Sequence, residues 1–165
     1  MSNSKRQIFY SFHYKKDFWR VQQIRNIGVI ESNIPVSSNE WEEVKRKGKN
    51  NIEMWIDSAM RYRSCIVVLI GEETASREWV KYEIKRGWDL GKGVVGIYIH
   101  NLKNQEGKTS QKGKNPFEYF SFQDGRKLSD VVKCYNPNTY DAYNDIRNNI
   151  QDWVEEAIRI RNSFS

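Results

Sequence analysis

Apolar positions along this chain alternate between two spacings. Short continuous apolar runs are separated by stretches in which apolar residues recur every three or four positions. The run Ile8-Phe9-Tyr10-Ser11-Phe12 is β-prone and aromatic and predicts a first strand over residues 6–12. Phe18, Val21 and Ile24 then fall on one helical face, which predicts a helix over 16–26. Ile27-Gly28-Val29-Ile30 predicts a brief second strand, and Pro35 breaks the chain after it. Ser37 and Glu40 have the spacing of a capping box, opening a short helix that ends near Gly48. Ile52, Trp55, Ile56, Ala59 and Met60 form the stripe of an amphipathic helix, with Glu53, Asp57 and Arg61 pointing away.

The next run, Ile66-Val67-Val68-Leu69-Ile70, is unbroken and closed by Gly71, as expected of a parallel strand buried on both faces. Ser76 is positioned to cap a helix from Arg77 to about Leu90. Val94 to Ile99 predicts another buried strand and Val131 to Tyr135 a weaker one. Ile146, Ile150, Trp153, Val154, Ala157 and Ile158 share one stripe of a closing helix over about 141–161. Strands alternating with helices predict βαβ units. The expected architecture is a single α/β domain over 1–165, with a mainly parallel sheet of about five strands and helices on both faces. Residues 101–130, rich in Lys, Gly and polar side chains, read as a long irregular insertion anchored by Pro116-Phe117-Glu118-Tyr119-Phe120.

Composition narrows the class. A length of 165 residues suits one domain, and 38% hydrophobic with 13% aromatic residues excludes wholesale disorder. No apolar run is long enough to span a membrane, and Met1 to Gln7 is polar with no apolar segment after it, so neither a membrane partner nor a signal peptide is expected. Cys65, in an apolar run, reads as a buried thiol; with Cys134 as the only other cysteine, a cytoplasmic protein is expected. The net charge of +6 is concentrated in Lys45-Arg46-Lys47-Gly48-Lys49 and in Lys108 to Lys114. Such runs attract polyanions, either nucleic acid or the pyrophosphate of a dinucleotide. Equally, they serve as solubilising loop charge. No nucleic-acid motif accompanies them, so no nucleic-acid partner is expected.

In doubly wound sheets, ligands bind beyond the carboxyl ends of the strands. Two stretches fall there: Ser11-Phe12-His13-Tyr14, and Gly71 to Ser76, which leads into the helix carrying Glu83. On that helix Val80, Ile84, Gly87, Trp88 and Gly91 define an apolar arc, and Glu83 lies at its edge, one turn after Trp79. A carboxylate on a half-buried border needs partners or has a raised pKa. It is therefore either a boundary glutamate paired to a lysine or a functional acid. His13 and His100 both follow strands, but two histidines without clustered Cys or Asp predict no metal site. The chain has no Gly-rich phosphate loop, no Gly-x-Ser-x-Gly elbow and no convincing Ser-His-Asp set. Trp41, Trp79, Tyr14 and Phe12 are suited to stack a planar ring, although aromatic side chains more often serve the core.

Several of these segments, in order, resemble TIR domains. Ile8-Phe9-Tyr10-Ser11-Phe12 with Asp17 is similar to the TIR opening box, and Cys65 to Ile70 to the TIR central strand. Ser76-Arg77-Glu78-Trp79-Val80-Lys81-Tyr82-Glu83 has the Trp-x-x-x-Glu spacing of the enzymatic members. Phe12-His13-Tyr14, Trp41-Glu42-Glu43 and Asn115-Pro116-Phe117-Glu118-Tyr119 resemble the TIR-like branch of bacterial Thoeris anti-phage systems.

The resemblance implies a flavodoxin-like TIR fold and an NAD⁺ glycohydrolase or ADP-ribosyl cyclase that takes NAD⁺ as substrate, with no separate cofactor. It implies Glu83 as the catalytic glutamate and Ser11, Phe12, His13 and Tyr14 as the nucleotide-facing first loop. Trp41 and Trp79 are further candidates to contact substrate. In this family, phage infection triggers formation of a cyclic ADP-ribose isomer or related adduct, which activates a separate effector; self-association on activation is also expected. The Arg-Asp-x-x-Pro-Gly loop of adapter TIRs is absent, its place taken by Ser32-Asn33-Ile34-Pro35, which argues against adapter-style docking. A non-catalytic interaction module is the competing reading. A phospho-receiver switch is disfavoured, because Leu69-Ile70-Gly71 stands where its aspartate is needed.

Overall fold

The computed structural model describes residues 6–28, 31–32 and 44–164. Among the described residues five strands are present: β1 (Gln7–Ser11), β2 (Glu31–Ser32), β3 (Cys65–Ile70), β4 (Gly93–Tyr98) and β5 (Cys134–Tyr135). They form one all-parallel sheet in the order β2-β1-β3-β4-β5, the order of a flavodoxin-like doubly wound sheet. Among the described residues it is covered by helices α1 (Tyr14–Arg25), α2 (Lys49–Met60), α3 (Glu78–Asp89) and α4 (Ala142–Asn162).

Every residue of β3 and β4 is buried, as a strand covered on both faces requires. Side chains alternate between two cores. Ile8, Tyr10, Cys65, Val67, Leu69, Val95 and Ile97 pack under α1 and α4. Phe9, Ile66, Val68, Ile70 and Val94 pack under α2 and α3. The alternation places Ser11, two residues after Phe9, on the α3 side.

The predicted α2 and α4 stripes are the ones that pack: Ile52, Ile56 and Met60 are buried on α2, and Ile146, Ile150, Val154 and Ala157 on α4. Other boundaries differ. The described part of the second strand is Glu31–Ser32; the Ile27 N–H bonds to the Ile24 carbonyl, so of the expected segment Ile27 belongs to the turn that ends α1, while Val29 and Ile30 lie outside the described residues. Ser76 does not cap α3. It closes a 3-10 turn, Thr74–Ser76, with its hydroxyl donating to the Glu73 carbonyl at 2.9 Å, and Arg77 occupies the cap position. The last strand is shorter than expected because Leu128–Asp130 winds into a 3-10 turn and Val132 is spent on the core under α3. The helix predicted from Ser37 lies mostly outside the described residues.

The insertion is held at both ends. Phe117 is fully buried in the α2/α3 core, as the predicted anchor requires. Nearer β4, the insertion is strapped down by Arg20. Its guanidinium donates to the Leu102 carbonyl at 2.7 Å, to the Lys108 carbonyl at 3.0 Å and to Asp17 Oδ1 at 3.2 Å. Arg20 and Asp17 are both buried. Asp17 Oδ2 abuts Gly71, where a Cβ would lie 2.1 Å away, and a Cβ on Gly113 would lie 2.0 Å from the Gly71 carbonyl oxygen. Both glycines are thus demanded by close approach, and the 102–113 loop passes directly over the carboxyl end of β3. Further along, Phe122 of the insertion and Phe164 at the chain end stack at 5.8 Å and meet Trp88 of α3 edge-on.

Breaking a buried pair leaves a charge without compensation. Arg20→Met is expected to destabilise the protein by about 3–5 kcal/mol, read as a lower urea midpoint.

Candidate functional site

Ser11 ends β1, and Glu83 sits on the second turn of α3. Val80, Ile84 and Gly87 are buried against the sheet, which leaves Glu83 at the flank of the buried stripe: the residue as a whole is partly exposed, but its carboxyl is turned inward onto the buried Ser11. The Ser11 hydroxyl donates to Glu83 Oε1 at 2.7 Å, and Ser11 itself is buried. Among the described residues Glu83 makes no ion pair, so the lysine-paired boundary reading gives way to a serine-bound, enclosed acid. Burial pushes its carboxyl up to about 8, while the Ser11 hydrogen bond pulls the other way. At neutral pH the resting carboxyl is therefore mostly protonated and gains or loses its charge within reach of physiological pH.

The helix bearing Glu83 is fixed at its start and along its flank. Thr74, buried, accepts from the Gly71 N–H at 2.8 Å and sets the turn between β3 and α3. Asp57 on α2 accepts from the Tyr82 hydroxyl and from Arg86 Nε, both at 3.0 Å, tying α3 to α2. The Gly71-x-x-Thr74 spacing carries a signal for this, since Thr hydroxyls bond local backbone in turns, and Asp17-x-x-Arg20 carries the helical pairing signal.

Of the other predicted residues, His13 is the N-cap of α1. Its Nδ1 accepts from the Lys16 N–H at 3.3 Å, and burial, then Arg77, hold its pKa below the usual histidine value. Phe12 and Tyr14 stack at 5.9 Å, and Tyr14 meets Phe18 at 5.3 Å; Phe12 rests on the α1/α4 core. Trp79 packs with the α2/α3 core and meets Tyr82 edge-on at 5.7 Å. The structure thus brings Ser11 to Glu83, whereas Phe12 and Trp79 pack on opposite faces of the sheet. Trp41 lies outside the described residues. His100 follows β4, buried beneath the insertion.

Among the described residues no group of His, Cys, Asp and Glu can hold a metal ion, and no helix is long and apolar enough to cross a membrane. A separate open cleft of about 500 Å³ lies at the carboxyl ends of β4 and β5, with Tyr98, Lys112, Asn115, Ser129 and Lys133 in its wall. It includes neither Ser11 nor Glu83.

Comparison with known proteins adds two findings. The model of a family described as "Thoeris protein ThsB, TIR-like domain" matches residues 9–104. A protein of Bacillus cereus (strain MSX-D12), named "Putative cyclic ADP-D-ribose synthase ThsB1", is 34% identical over 132 residues, covering 74% of this chain and 68% of that protein.

The Glu83 pKa has a consequence for stability that needs no substrate. The folded-state value, about 8, lies above the ordinary 4.5, so the unfolded chain releases this proton first. Stability from this group is complete at low pH and is lost as pH rises from about 4.5 through about 8. Glu83→Gln, which cannot ionise, is expected to escape that loss. Urea unfolding of both proteins at about pH 5 and about pH 9 should show the variant gaining on the parent at the higher pH.

Proposed function

This chain belongs to the TIR-like domain family of the Thoeris protein ThsB, and from that premise we propose that it cleaves the nicotinamide–ribose bond of NAD⁺ with Glu83 as the catalytic carboxylate. The observation that carries the reading is the enclosed Glu83 carboxyl, held by Ser11 at the carboxyl edge of a doubly wound sheet. Nicotinamide leaves as a neutral pyridine, taking the bonding electron pair with it. It therefore needs no general acid, and one carboxylate can do the work that glycoside hydrolases divide between two. The ribosyl C1′ develops positive charge as the bond breaks, and ionised Glu83 stabilises that charge inside a site with little water. Ser11 orients the carboxylate and favours its charged form. The fixed positive charge of the substrate's nicotinamide ring favours the same form, so binding ionises an acid that rests neutral.

The cation at C1′ is captured by a nucleophile of the same molecule's adenosine, which then loses a proton and closes a cyclic ADP-ribose isomer. Water in the same place gives free ADP-ribose. Exclusion of water decides between the two outcomes. The product acts as an antiviral signal read by a separate effector. The protonated resting state of Glu83 fits an enzyme that stays quiet until substrate or self-association brings the charge out.

Mass spectrometry of purified protein incubated with NAD⁺, with and without lysate of phage-infected cells, tests the reading. Nicotinamide release is expected in the parent and is expected to fall about 10²–10³-fold or more in Glu83→Gln. Equal rates for the two proteins would remove Glu83 from the chemistry. No turnover by folded protein in either condition would leave an interaction module. For the active protein, kcat/KM is expected to climb with pH and level off near 8, because the free enzyme must release the Glu83 proton. Ser11→Ala, which removes a hydrogen bond to the charged form, should move that bend to higher pH.

A further inference from the structure

Ser11 and Glu83 lie 72 positions apart in the chain, and a short path through the fold joins them. At one end Ser11, the last residue of β1, is registered by the ladder against Val68 of β3. β3 continues to Ile70, and Gly71 opens the turn into α3. The turn closes at Arg77, the cap of α3, and Glu83 follows on the second turn of the helix. From Arg77 to Glu83 is roughly 9 Å along the axis at the α-helical rise.

Thr74 stands in the middle of this path. Its hydroxyl accepts from the Gly71 N–H at 2.8 Å and donates, over a longer 3.5 Å, to the Leu69 carbonyl. Its own carbonyl accepts from the Arg77 N–H at 3.1 Å. One residue therefore grips the end of β3 with its side chain and the cap of α3 with its backbone. It does so fully buried, so a Gly71 N–H deprived of this hydroxyl has no ready substitute. Ser76 also uses its hydroxyl on backbone, but it is exposed, and its 2.9 Å bond to the Glu73 carbonyl stays inside the turn.

The other supports of α3 act differently. Val80, Ile84 and Gly87 bury one face on the sheet, and Asp57 of α2 holds Tyr82 and Arg86. Apolar packing is non-directional, and Asp57 belongs to a neighbouring helix; together they choose the face that α3 presents. Where α3 starts relative to the end of β3 is set in the turn. The tolerance is small. A tilt of about 10° at the cap carries Glu83 sideways by roughly 1.5 Å, enough to take its 2.7 Å hydrogen bond out of range.

We propose that Thr74 is the positioning residue of this site: its hydroxyl fixes where α3 begins and so keeps the Glu83 carboxyl within reach of Ser11. The consequence for turnover rests on the reading of Glu83 as the NAD⁺-cleaving group. A hydrogen bond weakens steeply with distance, whereas burial changes gradually as a packed helix shifts. A small displacement therefore costs the carboxyl its Ser11 bond before it lets water in, and Glu83 loses the contact that favours its charged form.

Carbon NMR of glutamate-labelled protein follows the Glu83 carboxyl through a pH titration, with Glu83→Gln identifying its signal. The parent midpoint is expected at about 8. In Thr74→Val, which keeps the shape and loses the hydroxyl, the midpoint is expected to rise, in the direction Ser11→Ala moves it. Thr74→Ser should return it to the parent value, and Ser76→Ala should leave it there. Because both residues act through one bond, Ser11→Ala combined with Thr74→Val should titrate as Ser11→Ala does alone. Thr74→Ala, which leaves room for water on the Gly71 N–H, gives the same reading should Thr74→Val fail to fold. In turnover, kcat of Thr74→Val is expected to fall about 10–100-fold with KM little changed. A Thr74→Val midpoint equal to the parent's, whatever its urea midpoint, would overturn the proposal and leave Thr74 a structural residue. A midpoint falling towards 4.5, the mark of a site opened to water, would overturn it too, as would effects of Ser11→Ala and Thr74→Val that add. The titration needs no NAD⁺, so the two readings fail separately. A displaced midpoint with no nicotinamide release by the parent sinks the Glu83 chemistry and keeps Thr74 in its role; nicotinamide release with an unmoved midpoint sinks this inference alone.

Discussion

Because neither face of β3 touches water, helices must cover both sides of the sheet, and every polar group with chemical use is driven to the edge where the strands end. β4 adds the same constraint beside it. The part left for function is a narrow rim: the end of β1, the turn after β3, and the loop after β4. Gly71 stands at the crowded centre of this rim, with Asp17 against it and the backbone of Gly113 close to its carbonyl. The turn just beyond Gly71 sets the position of α3, and α3 sets the position of Glu83. The placement of one carboxyl is therefore coupled to a buried ion pair on a different helix and to a loop that joins β4 to β5.

The enclosed acid works against the fold that holds it. A carboxyl forced up to about 8 gives up stability over the range in which most proteins are at their firmest, and the Ser11 hydroxyl offsets only part of that. Such sites persist where activity requires them. The proposed substrate makes the arrangement intelligible, since a ligand that arrives with its own positive charge would favour ionisation of a buried acid at the moment it is needed.

Much of this was legible in the sequence where the signal is local. The run from Ile66 to Ile70 announces its double burial, and the stripes of α2 and α4 give their packed faces. The border position of Glu83 comes from helical spacing. What periodicity cannot give is the identity of a partner 72 positions away, and Ser11 is the partner that separates an enclosed acid from a surface one. The misplaced elements share a cause. Ser76 looks like a helix cap until Thr74 takes over the turn, and Val131 and Val132 look like a strand until burial under α3 claims Val132. His13 shows the reverse case, a residue positioned for ligand contact whose ring nitrogen serves the backbone of its own helix.

The strap across the sheet edge divides the insertion into parts with different freedom. From Lys108 to Gly113 each step is fixed by Arg20, by His100 and by the contact with Gly71, so one residue more or fewer would shift Lys112 along the rim. The preceding tip is built otherwise. Asn104 closes a local turn through its own side chain, which accepts from the N–H groups of Glu106 and Lys108, and residues 105–109 face solvent. A tip that satisfies its own backbone can change length without disturbing the anchors on either side. Homologous chains are therefore free to vary between Asn104 and Lys108, and a peptide tag or fluorophore is best grafted there, where it reports on the rim without moving it.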